Sequence, residues 1–384
     1  MQKKCVSFLL IITIIILSIF YVEISAEEED LNLYALSALL MDGDNGRVLW
    51  DFNGEEQRAM ASTTKIMTGI IALEYGNLED EVLVSRKASL APIVKLYIRE
   101  GEKYRLGDLL YALMLESSND VAIAIAEHIG GSVEEFCELM TEKAKDIGAH
   151  NTSFKTPNGL DAEGHYTTAY DLALIARYAL NNEQFVDIIN TKQKVFNEVT
   201  NNRQFSVNNK NLFLDMMDGA IGVKTGFTNH AGYCFVGAVK KDGKFLISVV
   251  LASGWPYNRN WKWQDTQKIM EYGLDNFEYK QIVQDNIKFD IIQVIDGKKG
   301  YVNIDVVEFD EIGLLLSKND KIRKEVDLPT SLEAPIDKGT TIGYYNVYLN
   351  DEIYEKLPIK TMNSVDKIDY RFCLYNILKR FLLN

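Results

Sequence analysis

The apolar residues of the first two thirds of the chain follow strand spacing at both ends and helix spacing between them. Two apolar runs, 35–41 and 47–50, flank a turn-rich tract, and two later runs, 232–239 and 244–251, flank an Asp-Gly turn. Each pair predicts a β-hairpin. Apolar residues recur on one helix face in three stretches between the hairpins: 121–129, 133–147 and 169–180. This order predicts an α+β domain, in which an antiparallel sheet is covered by a helical block.

The last quarter of the chain has a different pattern. Short alternating runs at 287–295 and 301–309, around Asp296-Gly297, predict a separate, small all-β domain. Beyond it, the apolar residues of 364–384 recur at helical spacing, which predicts an amphipathic C-terminal helix. We therefore divide the chain into an N-terminal segment, a first domain, the small β domain and a tail: 1–26, 27–279, 280–365 and 366–384.

The N-terminal segment has the layout of a secretory signal peptide. Lys3 and Lys4 precede an almost unbroken apolar run, 6–22, and the small residues Ser25 and Ala26 offer a cleavage site. The alternative is a retained membrane anchor, because a run of this length lies near the lower limit of a spanning helix. Either interpretation places the working part of the chain outside the cytoplasm, so we expect an exported protein.

Composition and charge exclude several classes of protein. The 384 residues are 47% hydrophobic and 25% charged, which is typical of a globular protein. The formal net charge of −14 repels phosphate backbones, so nucleic acid is not an expected partner. Four scattered cysteines exclude a disulfide framework. The four histidines lack metal-ligand spacing, so we expect no metal, and we interpret the two near the motifs below, His165 and His230, as structural or rim residues.

The first motif that can carry chemistry is Ser62-Thr63-Thr64-Lys65, which opens an apolar run, 66–73, that predicts a buried helix. Residues three apart share a helix face, so the Lys65 amine can reach the Ser62 hydroxyl. Burial lowers the pKa of a lysine, which lets it accept the serine proton. The alternative is a capped core helix. The spacing alone is uninformative, because Ser364 and Lys367 share it.

Two further motifs lie where their side chains can face a cleft. Ser117-Ser118-Asn119 links two apolar helical stretches, 109–115 and 121–129; the alternative is a simple cap for the second helix. Lys224-Thr225-Gly226 precedes the second hairpin on a predicted strand, where the glycine permits close approach of a substrate backbone. The lysine and threonine can bind a substrate carboxylate. The alternative for this triplet is an ordinary strand with a solvated lysine.

In this order, the three motifs resemble those of the serine-type D-Ala-D-Ala carboxypeptidases, the low-molecular-mass penicillin-binding proteins. The resemblance extends over nearly the whole chain and includes 61–68, 117–120, 156–160 with His165 downstream, and 222–228. It implies a β-lactamase/transpeptidase-like fold for the first domain. It also implies a peptidoglycan stem peptide ending in D-Ala-D-Ala as substrate, β-lactam antibiotics as inhibitors and no cofactor.

The resemblance implies a catalytic role for four residues. Ser62 would be the nucleophile that attacks the carbonyl between the last two D-alanines, and Lys65 would be the base that takes its proton. An acyl-enzyme would form and then be hydrolysed by water. Ser117 and Asn119 would pass a proton to the leaving amine and position the acyl chain.

The resemblance also implies a set of substrate-binding residues: Lys224, Thr225, Gly226, Phe227 and Arg259. Lys224 and Thr225 would hold the terminal carboxylate, and Arg259 would assist them. The backbone N–H groups of Ser62 and Phe227 would form the oxyanion hole, which stabilises the negative charge of the tetrahedral intermediate.

Two other functions fit parts of the sequence. A β-lactamase would share the nucleophile, but class A enzymes use a Glu-containing loop motif that has no match in this sequence. We therefore expect β-lactams to acylate Ser62 and to leave slowly. A non-catalytic penicillin sensor or cell-wall binding module would have the same cleft, and the presence of Lys65, Asn119 and Lys224 favours an enzyme over it.

The C-terminal tail combines an apolar helix face with the basic residues Lys367, Arg371, Lys379 and Arg380 in an otherwise acidic chain. This combination is typical of a helix that lies in a membrane interface. The alternative is a helix docked on its own β domain. The family resemblance favours the membrane surface as a partner, and we expect the enzyme at the extracytoplasmic face of the cell membrane or in the cell wall.

Overall fold

The structure is a computed structural model that describes residues 30–283, 289–306 and 311–382. The predicted signal segment, 1–26, lies outside the described residues. The chain divides into two units. The first takes in the chain up to Val239 together with Leu246–Met270, and the second takes in Lys240–Phe245 together with the chain from Glu271 onward. The domain boundaries given above stay predictions.

The described part of the chain contains ten α-helices: α1 (Lys65–Tyr75), α2 (Arg86–Ser89), α3 (Leu106–Leu115), α4 (Asn119–Gly130), α5 (Val133–Ile147), α6 (Ala169–Leu180), α7 (Glu183–Asn190), α8 (Phe213–Met216), α9 (Trp261–Asn276) and α10 (Tyr370–Leu382). A single 3₁₀ turn, Ala61–Thr64, leads directly into α1. The three helices that the apolar spacing predicts are confirmed as α4, α5 and α6.

Within the same described residues there are eighteen strands: β1 (Ser37–Asp42), β2 (Val48–Phe52), β3 (Glu81–Leu83), β4 (Lys103–Arg105), β5 (Gln193–Asn197), β6 (Gln204–Asn208), β7 (Ala220–Thr228), β8 (Gly232–Lys241), β9 (Lys244–Leu251), β10 (Glu278–Val283), β11 (Ile292–Ile295), β12 (Tyr301–Val302), β13 (Ile304–Val306), β14 (Ile312–Leu316), β15 (Ile322–Asp327), β16 (Ser331–Glu333), β17 (Thr341–Leu349) and β18 (Glu352–Thr361).

The central sheet of the first unit has five strands in the order β2-β1-β9-β8-β7. Both predicted hairpins are confirmed, because β1 pairs antiparallel with β2, and β8 and β9 are neighbours on either side of Asp242-Gly243. All six residues of β1 are buried, so this strand is covered on both faces of the sheet. At the other end of the sheet, β7 is an edge strand, which leaves one side of its backbone available to the site.

Helix α1 lies in the middle of the helical block. Its first eight residues, Lys65 to Ala72, are all buried, because the sequence is apolar on every face and helices α3, α4 and α6 pack around it. The neighbouring helices have ordinary termini. Ser132 caps α5 by accepting a hydrogen bond from Glu135 N, and Gly148, at φ +97°, ends that helix. Because its neighbours pack around it, α1 holds the residues at its own N-terminus in fixed positions.

The second unit contains a small all-β fold, as predicted. Its described strands form three sheets in the orders β10-β14, β12-β11-β16 and β13-β18-β17-β15, around a core of buried aliphatic residues such as Val302, Leu314 and Ile359. The predicted strand extents are wrong in detail. In the described part of 287–295, only Ile292–Ile295 is a strand, and 301–309 is broken at Asn303 between β12 and β13. The break occurs because β12 pairs with β11 and β13 pairs with β18 in a different sheet.

The predicted C-terminal helix is present as α10. None of its residues is buried, and its apolar side chains are exposed, with Phe381 80% and Tyr375 63% accessible. A helix docked on the β domain would have buried these side chains, so the structure disfavours that alternative. Across the described residues, no helix has the length and apolarity that a membrane crossing requires.

Candidate active site

Ser62 and Lys65 meet where the 3₁₀ turn passes into α1. Ser62 is the second residue of the turn and Lys65 is the first residue of the helix. A 3₁₀ helix has three residues per turn, so side chains three apart are directly aligned. The Lys65 Nζ atom accordingly lies 2.9 Å from Ser62 Oγ. The serine therefore lies at the N-terminal end of the predicted helix, in a 3₁₀ turn that leads into it.

The surroundings of Lys65 favour a neutral amine. The side chain is fully buried, and this desolvation holds its pKa well below the usual range; the charge of Lys224 lowers the pKa further, whereas Asp120 raises it. Nζ also donates hydrogen bonds to Asn119 Oδ1 at 2.9 Å and to the Asn158 carbonyl at 2.5 Å. Both partners accept only. A neutral amine has two N–H groups and one lone pair, so the lone pair faces the Ser62 hydroxyl.

Two backbone carbonyls determine which end of the Asn119 amide faces Lys65. Asn119 Nδ2 donates to Pro92 O at 3.3 Å and to Ile93 O at 3.1 Å. With the amide nitrogen occupied in this way, Oδ1 must face the lysine. Asn119 is the first residue of α4, and its position therefore follows from the buried start of that helix.

A second amine–hydroxyl pair lies beside the first. Lys224, in the middle of β7, donates from Nζ to Ser117 Oγ at 3.0 Å and to its neighbour's carbonyl, Thr225 O, at 3.1 Å. Burial lowers the pKa of Lys224 to about 7. Ser117 links α3 to α4 at φ +62°, a left-handed conformation that is uncommon outside glycine and that often marks functional sites.

The edge strand β7 passes close to the nucleophile. A Cβ atom at Gly226 would lie 2.9 Å from Ser62 N, so only glycine allows this approach. Opposite Phe227 on β8, Tyr233 directs both its N–H and its carbonyl toward 253–254. Because hydrogen-bonded and free pairs alternate in an antiparallel ladder, Phe227 directs its N–H away from β8. The Phe227 N–H therefore points to the open side of β7, and the backbone nitrogen of Ser62 lies close to the neighbouring Gly226.

A cavity of about 460 Å³ opens over Ser62, and it brings together the predicted Thr225, Gly226, Phe227 and Arg259. The other four predicted residues are not among its lining residues. Lys65 bonds to Ser62, which lines the cavity, and Asn119 bonds to Lys65. Ser117 and Lys224 bond to each other, and Lys224 precedes the lining residue Thr225 in β7. Arg259 is exposed at the cavity, and no direct bond from its guanidinium to the other motif residues is recorded among the described side chains.

Two cations in this cavity were not predicted from the sequence. Lys262, on α9, is buried between the rings of Tyr233 and Trp263, 4.6 Å and 4.5 Å from their centroids, and burial lowers its pKa to about 8. Its Nζ donates to Arg259 O at 2.6 Å. Lys210 is the second. No local pattern identifies either residue, because a single lysine in a helix or a loop is an ordinary surface residue.

The 156–160 segment supplies a contact that side-chain patterns could not predict. The Asn158 carbonyl accepts the hydrogen bond from Lys65 described above and lies 3.3 Å from Ser62 Oγ. Gly159, at φ +84°, makes this approach possible, since a Cβ there would lie 1.9 Å from Ala61 O. The Pro-Asn-Gly turn of this segment was a visible signal, although it gave no indication that the backbone carbonyl would be the functional atom.

His165 has a structural role, as predicted. Its Nδ1 accepts a hydrogen bond from Lys155 N at 3.0 Å, and its Nε2 lies 3.0 Å from Thr64 Oγ1. Burial lowers its pKa to about 4, so the ring is neutral and donates from Nε2 to Thr64. The threonine hydroxyl in turn donates to Ala61 O at 2.8 Å. His165 thus braces the turn that carries Ser62.

The site has the composition of an acyl-transfer centre built from side chains and backbone N–H groups. Throughout 30–283, 289–306 and 311–382, no three His, Cys, Asp or Glu side chains are close enough together to hold a metal ion. The described cysteines, Cys137, Cys234 and Cys373, form no disulfides. Burial raises the pKa of the Cys234 thiol to about 12, which makes it a poor nucleophile. A serine hydroxyl beside a buried lysine whose pKa lies well below the usual range is the arrangement of a serine-type acyl hydrolase or transferase.

Comparisons with known proteins agree with this class. The family model for D-alanyl-D-alanine carboxypeptidase (peptidase family S11) matches residues 23–254, and the model for the C-terminal domain of penicillin-binding protein 5 matches residues 277–367. The chain belongs to the D-alanyl-D-alanine carboxypeptidase family. The family, enzyme class and fold expected from the sequence are therefore confirmed.

Individual relatives cover most of the chain. It is 32% identical over 344 residues to the D-alanyl-D-alanine carboxypeptidase DacF of Bacillus subtilis, covering 88% of this chain and 87% of that protein. The structure of penicillin binding protein 5 from Haemophilus influenzae is similar, with a TM-score of 0.72, 28% identity, and coverage of 87% of this chain and 98% of that chain. The Streptomyces K15 DD-transpeptidase structure gives a TM-score of 0.60 at 32% identity, over 63% of this chain and 98% of that chain.

Proposed function

We propose that this enzyme removes the terminal D-alanine from peptidoglycan stem peptides ending in D-Ala-D-Ala, through an acyl-enzyme on Ser62. The observation that carries the proposal is the hydrogen bonding of Lys65. Its two N–H groups are taken by Asn119 Oδ1 and Asn158 O, which leaves its lone pair facing a hydroxyl oxygen 2.9 Å away. That arrangement is what a general base for serine requires.

In the acylation step, Ser62 Oγ attacks the carbonyl carbon of the scissile peptide bond and its proton passes to Lys65 Nζ. The carbonyl oxygen becomes an oxyanion between the N–H groups of Ser62 and Phe227. The C–N bond then breaks, and the leaving D-alanine amine receives, through the Ser117 hydroxyl, the proton that Lys65 took from Ser62. Lys65 is therefore neutral again before deacylation. Lys224 supports this transfer, because a charged amine that donates to Ser117 Oγ keeps the serine proton directed outward.

In the deacylation step, water attacks the ester carbonyl of the acyl-enzyme. Lys65 again takes the proton, now from the water, and returns it to Ser62 Oγ as the ester bond breaks. β-Lactams acylate Ser62 by the same attack, and their opened ring stays attached as the ester. We expect slow release of that ester, because the sequence has no match to the Glu-containing deacylation motif of class A β-lactamases.

Positive charge in the cavity suits the terminal carboxylate of such a substrate. Lys210, Arg259 and Lys262 line the cavity, and Lys224 precedes the lining residue Thr225, in a chain whose net charge is −14. A local cluster of cations in an acidic protein attracts anionic groups to one place. Thr225 adds a hydroxyl beside these charges. We assign the carboxylate to Lys224, Thr225 and the Arg259–Lys262 pair.

Covalent labelling with a fluorescent penicillin, followed by measurement of D-alanine release from a D-Ala-D-Ala peptide, tests this proposal. Ser62→Ala should abolish both signals, because no other hydroxyl lies at Lys65. Ser364→Ala is the matched control: it has the same spacing to a lysine, Lys367, and should keep both signals. Labelling or D-alanine release that survives in Ser62→Ala overturns the assigned nucleophile, and rapid turnover of nitrocefin by the wild type favours the β-lactamase instead.

We also propose that the enzyme is exported and associates with the membrane surface through α10. The exposed apolar face of this helix and its last-turn Lys379 and Arg380 support this proposal. A protein truncated after Asp366 should remain active and should shift from the membrane fraction to the soluble fraction. If the truncated, signal-processed protein sediments with membranes as the full chain does, the helix is not the anchor.

A further inference from the structure

The segment 92–98 forms one side of the site. Val94 lines the cavity over Ser62. Ile93, Val94 and Tyr97 are 76%, 56% and 63% exposed, and within this segment only Ile98, at its end, is buried. Apolar packing therefore fixes the backbone at that one point, and the rest of the segment is held by hydrogen bonds.

The first turn of α4 holds that backbone. Asp120, fully buried, accepts hydrogen bonds from three consecutive N–H groups of the segment, on residues 96, 97 and 98, at 2.9, 2.8 and 3.2 Å. Its neighbour Asn119 donates from the backbone to Val94 O at 2.8 Å. Arg203 adds one bond, to Tyr97 O at 3.1 Å. Asp120 is thus the main anchor of the 96–98 end of the segment.

The other end of the same segment orients the catalytic amide. The carbonyls of Pro92 and Ile93 accept both bonds from Asn119 Nδ2, and this fixes Oδ1 toward Lys65. If the segment moves, those carbonyls move with it and the amide can turn over. Nδ2 would then donate to the lone pair of a neutral Lys65, which would no longer be directed at Ser62.

We propose that Asp120 is a positioning residue: it holds the 92–98 segment on α4 and, through that segment, the Asn119 carboxamide in the orientation that Lys65 needs. This inference rests on the proposed roles of Ser62 and Lys65. Asp120 does not touch the substrate cavity in our assignment. It acts through the segment and through its negative charge near Lys65.

The charge of Asp120 gives a readout that a merely structural carboxylate would not move. The charged groups that influence Lys65 are Lys224 on β7, which lowers its pKa, and Asp120 on α4, which raises it. In Asp120→Asn the opposing charge is lost, so Lys65 becomes neutral at lower pH. Burial alone lowers the pKa of Lys224, so a limb of the pH–rate profile that reports the titration of Lys224 should not move.

The experiment measures the second-order rate constant for penicillin acylation between pH 4 and pH 9. We expect Asp120→Asn to lower the plateau of this rate constant about tenfold, because an amide accepts hydrogen bonds at one atom only and so releases at least one N–H of the segment. The acid limb of the pH profile should move to a pH about half to one unit lower. Asp120→Glu keeps the charge and should lower the plateau with the acid limb unmoved. Circular dichroism establishes that each variant is folded.

Glu198→Gln is the matched control. Glu198 is also buried and also accepts three backbone N–H bonds, from Lys103, Thr200 and Asn201, away from the catalytic residues. It should keep both the plateau and the acid limb of the wild type.

The possible failures are distinct. A folded Asp120→Asn with the wild-type acid limb overturns the inference, as does a Glu198→Gln variant with the same limb shift. If Asp120→Asn does not fold, a wild-type plateau in Asp120→Glu overturns it. Labelling that survives in Ser62→Ala overturns the proposed function itself, whatever Asp120 does.

Discussion

The buried His165 predicts a specific dependence of stability on pH. Its pKa is lowered to about 4 in the folded protein, whereas an unfolded histidine has a pKa of about 6.5. Between these two values the unfolded chain binds a proton that the folded chain does not bind, so stability falls as pH decreases. Above the unfolded pKa the full contribution of the neutral ring is present. The loss is complete once the pH passes below the folded pKa.

The magnitude follows from the size of the pKa difference. At about 1.4 kcal/mol per unit, a difference of roughly 2.5 units would cost about 3 kcal/mol at full protonation, and about 2 kcal/mol of this would appear between pH 7 and pH 4.5. Protonation would also disrupt the site, because His165 Nδ1 could no longer accept from Lys155 N. The contact that is lost is therefore the one between His165 and the backbone of Lys155, whereas the bond from Nε2 to Thr64 is retained.

The chain is well suited to the measurement. All four tryptophans, at 50, 255, 261 and 263, lie in the first unit, so intrinsic fluorescence during urea unfolding reports on the unit that contains His165. Other groups also titrate in this range, so the comparison is between the wild type and His165→Gln, which keeps an acceptor and a donor but does not titrate. Between pH 7 and pH 4.5, the free energy of unfolding of His165→Gln should fall by about 2 kcal/mol less than that of the wild type. Equal pH dependence in both proteins would refute the reasoning.

Three further predictions follow from the site. Gly226→Ala should reduce kcat/KM for a D-Ala-D-Ala peptide about hundredfold, since its Cβ would meet Ser62 N at 2.9 Å, while Gly300→Ala, where a Cβ meets nothing within 4 Å, should match the wild type. Lys262→Met should raise KM about tenfold with little change in kcat, and Lys262→Arg should restore most of the loss; an unchanged KM in Lys262→Met would exclude a role in carboxylate binding. Because the pKa of Lys224 is lowered to about 7, kcat/KM should decline as pH rises through that region, and Lys224→Arg should abolish the decline; a decline that persists in Lys224→Arg must come from another group.

Local patterns predicted the parts of the fold that local forces determine. Helix α5 matches the predicted 133–147 because one buried stripe, a serine cap and a terminal glycine all agree. The strands at 301–309 were placed less well, because alternation indicates which residues face inward but not which strand they pair with. The stretch is divided because β12 pairs with the neighbouring β11, whereas β13 pairs with β18, more than fifty residues later. A partner as distant as β18 leaves no trace in a short window.

The same distinction applies to the site. Ser62 and Lys65 were predictable because an apolar helical run follows them, which distinguishes this pair from the equally spaced Ser364 and Lys367. Asn158 was not, because its functional atom is a backbone carbonyl, and its approach depends on a glycine fitting against a turn almost a hundred residues earlier. Asp120 looked like an ordinary acidic residue in the first turn of a helix. Only the fold brings the 96–98 N–H groups to it.

The two buried lysines of the site divide the chemistry between them, although they have the same side chain. The Lys65 amine is shielded from solvent, and its hydrogen-bond partners besides Ser62 are two carbonyl oxygens. Its neutral form is therefore favoured, and it can take a proton. Burial alone lowers the pKa of Lys224, to about 7, and an incoming carboxylate would favour its charged form. The two roles are linked, because the charge on Lys224 further favours the neutral form of Lys65. The environment of each lysine, rather than its residue type, therefore determines which one is the base and which one binds the anion. A substrate without the terminal carboxylate would not favour the charged form of Lys224, and Lys65 would then lose part of the effect that keeps it neutral.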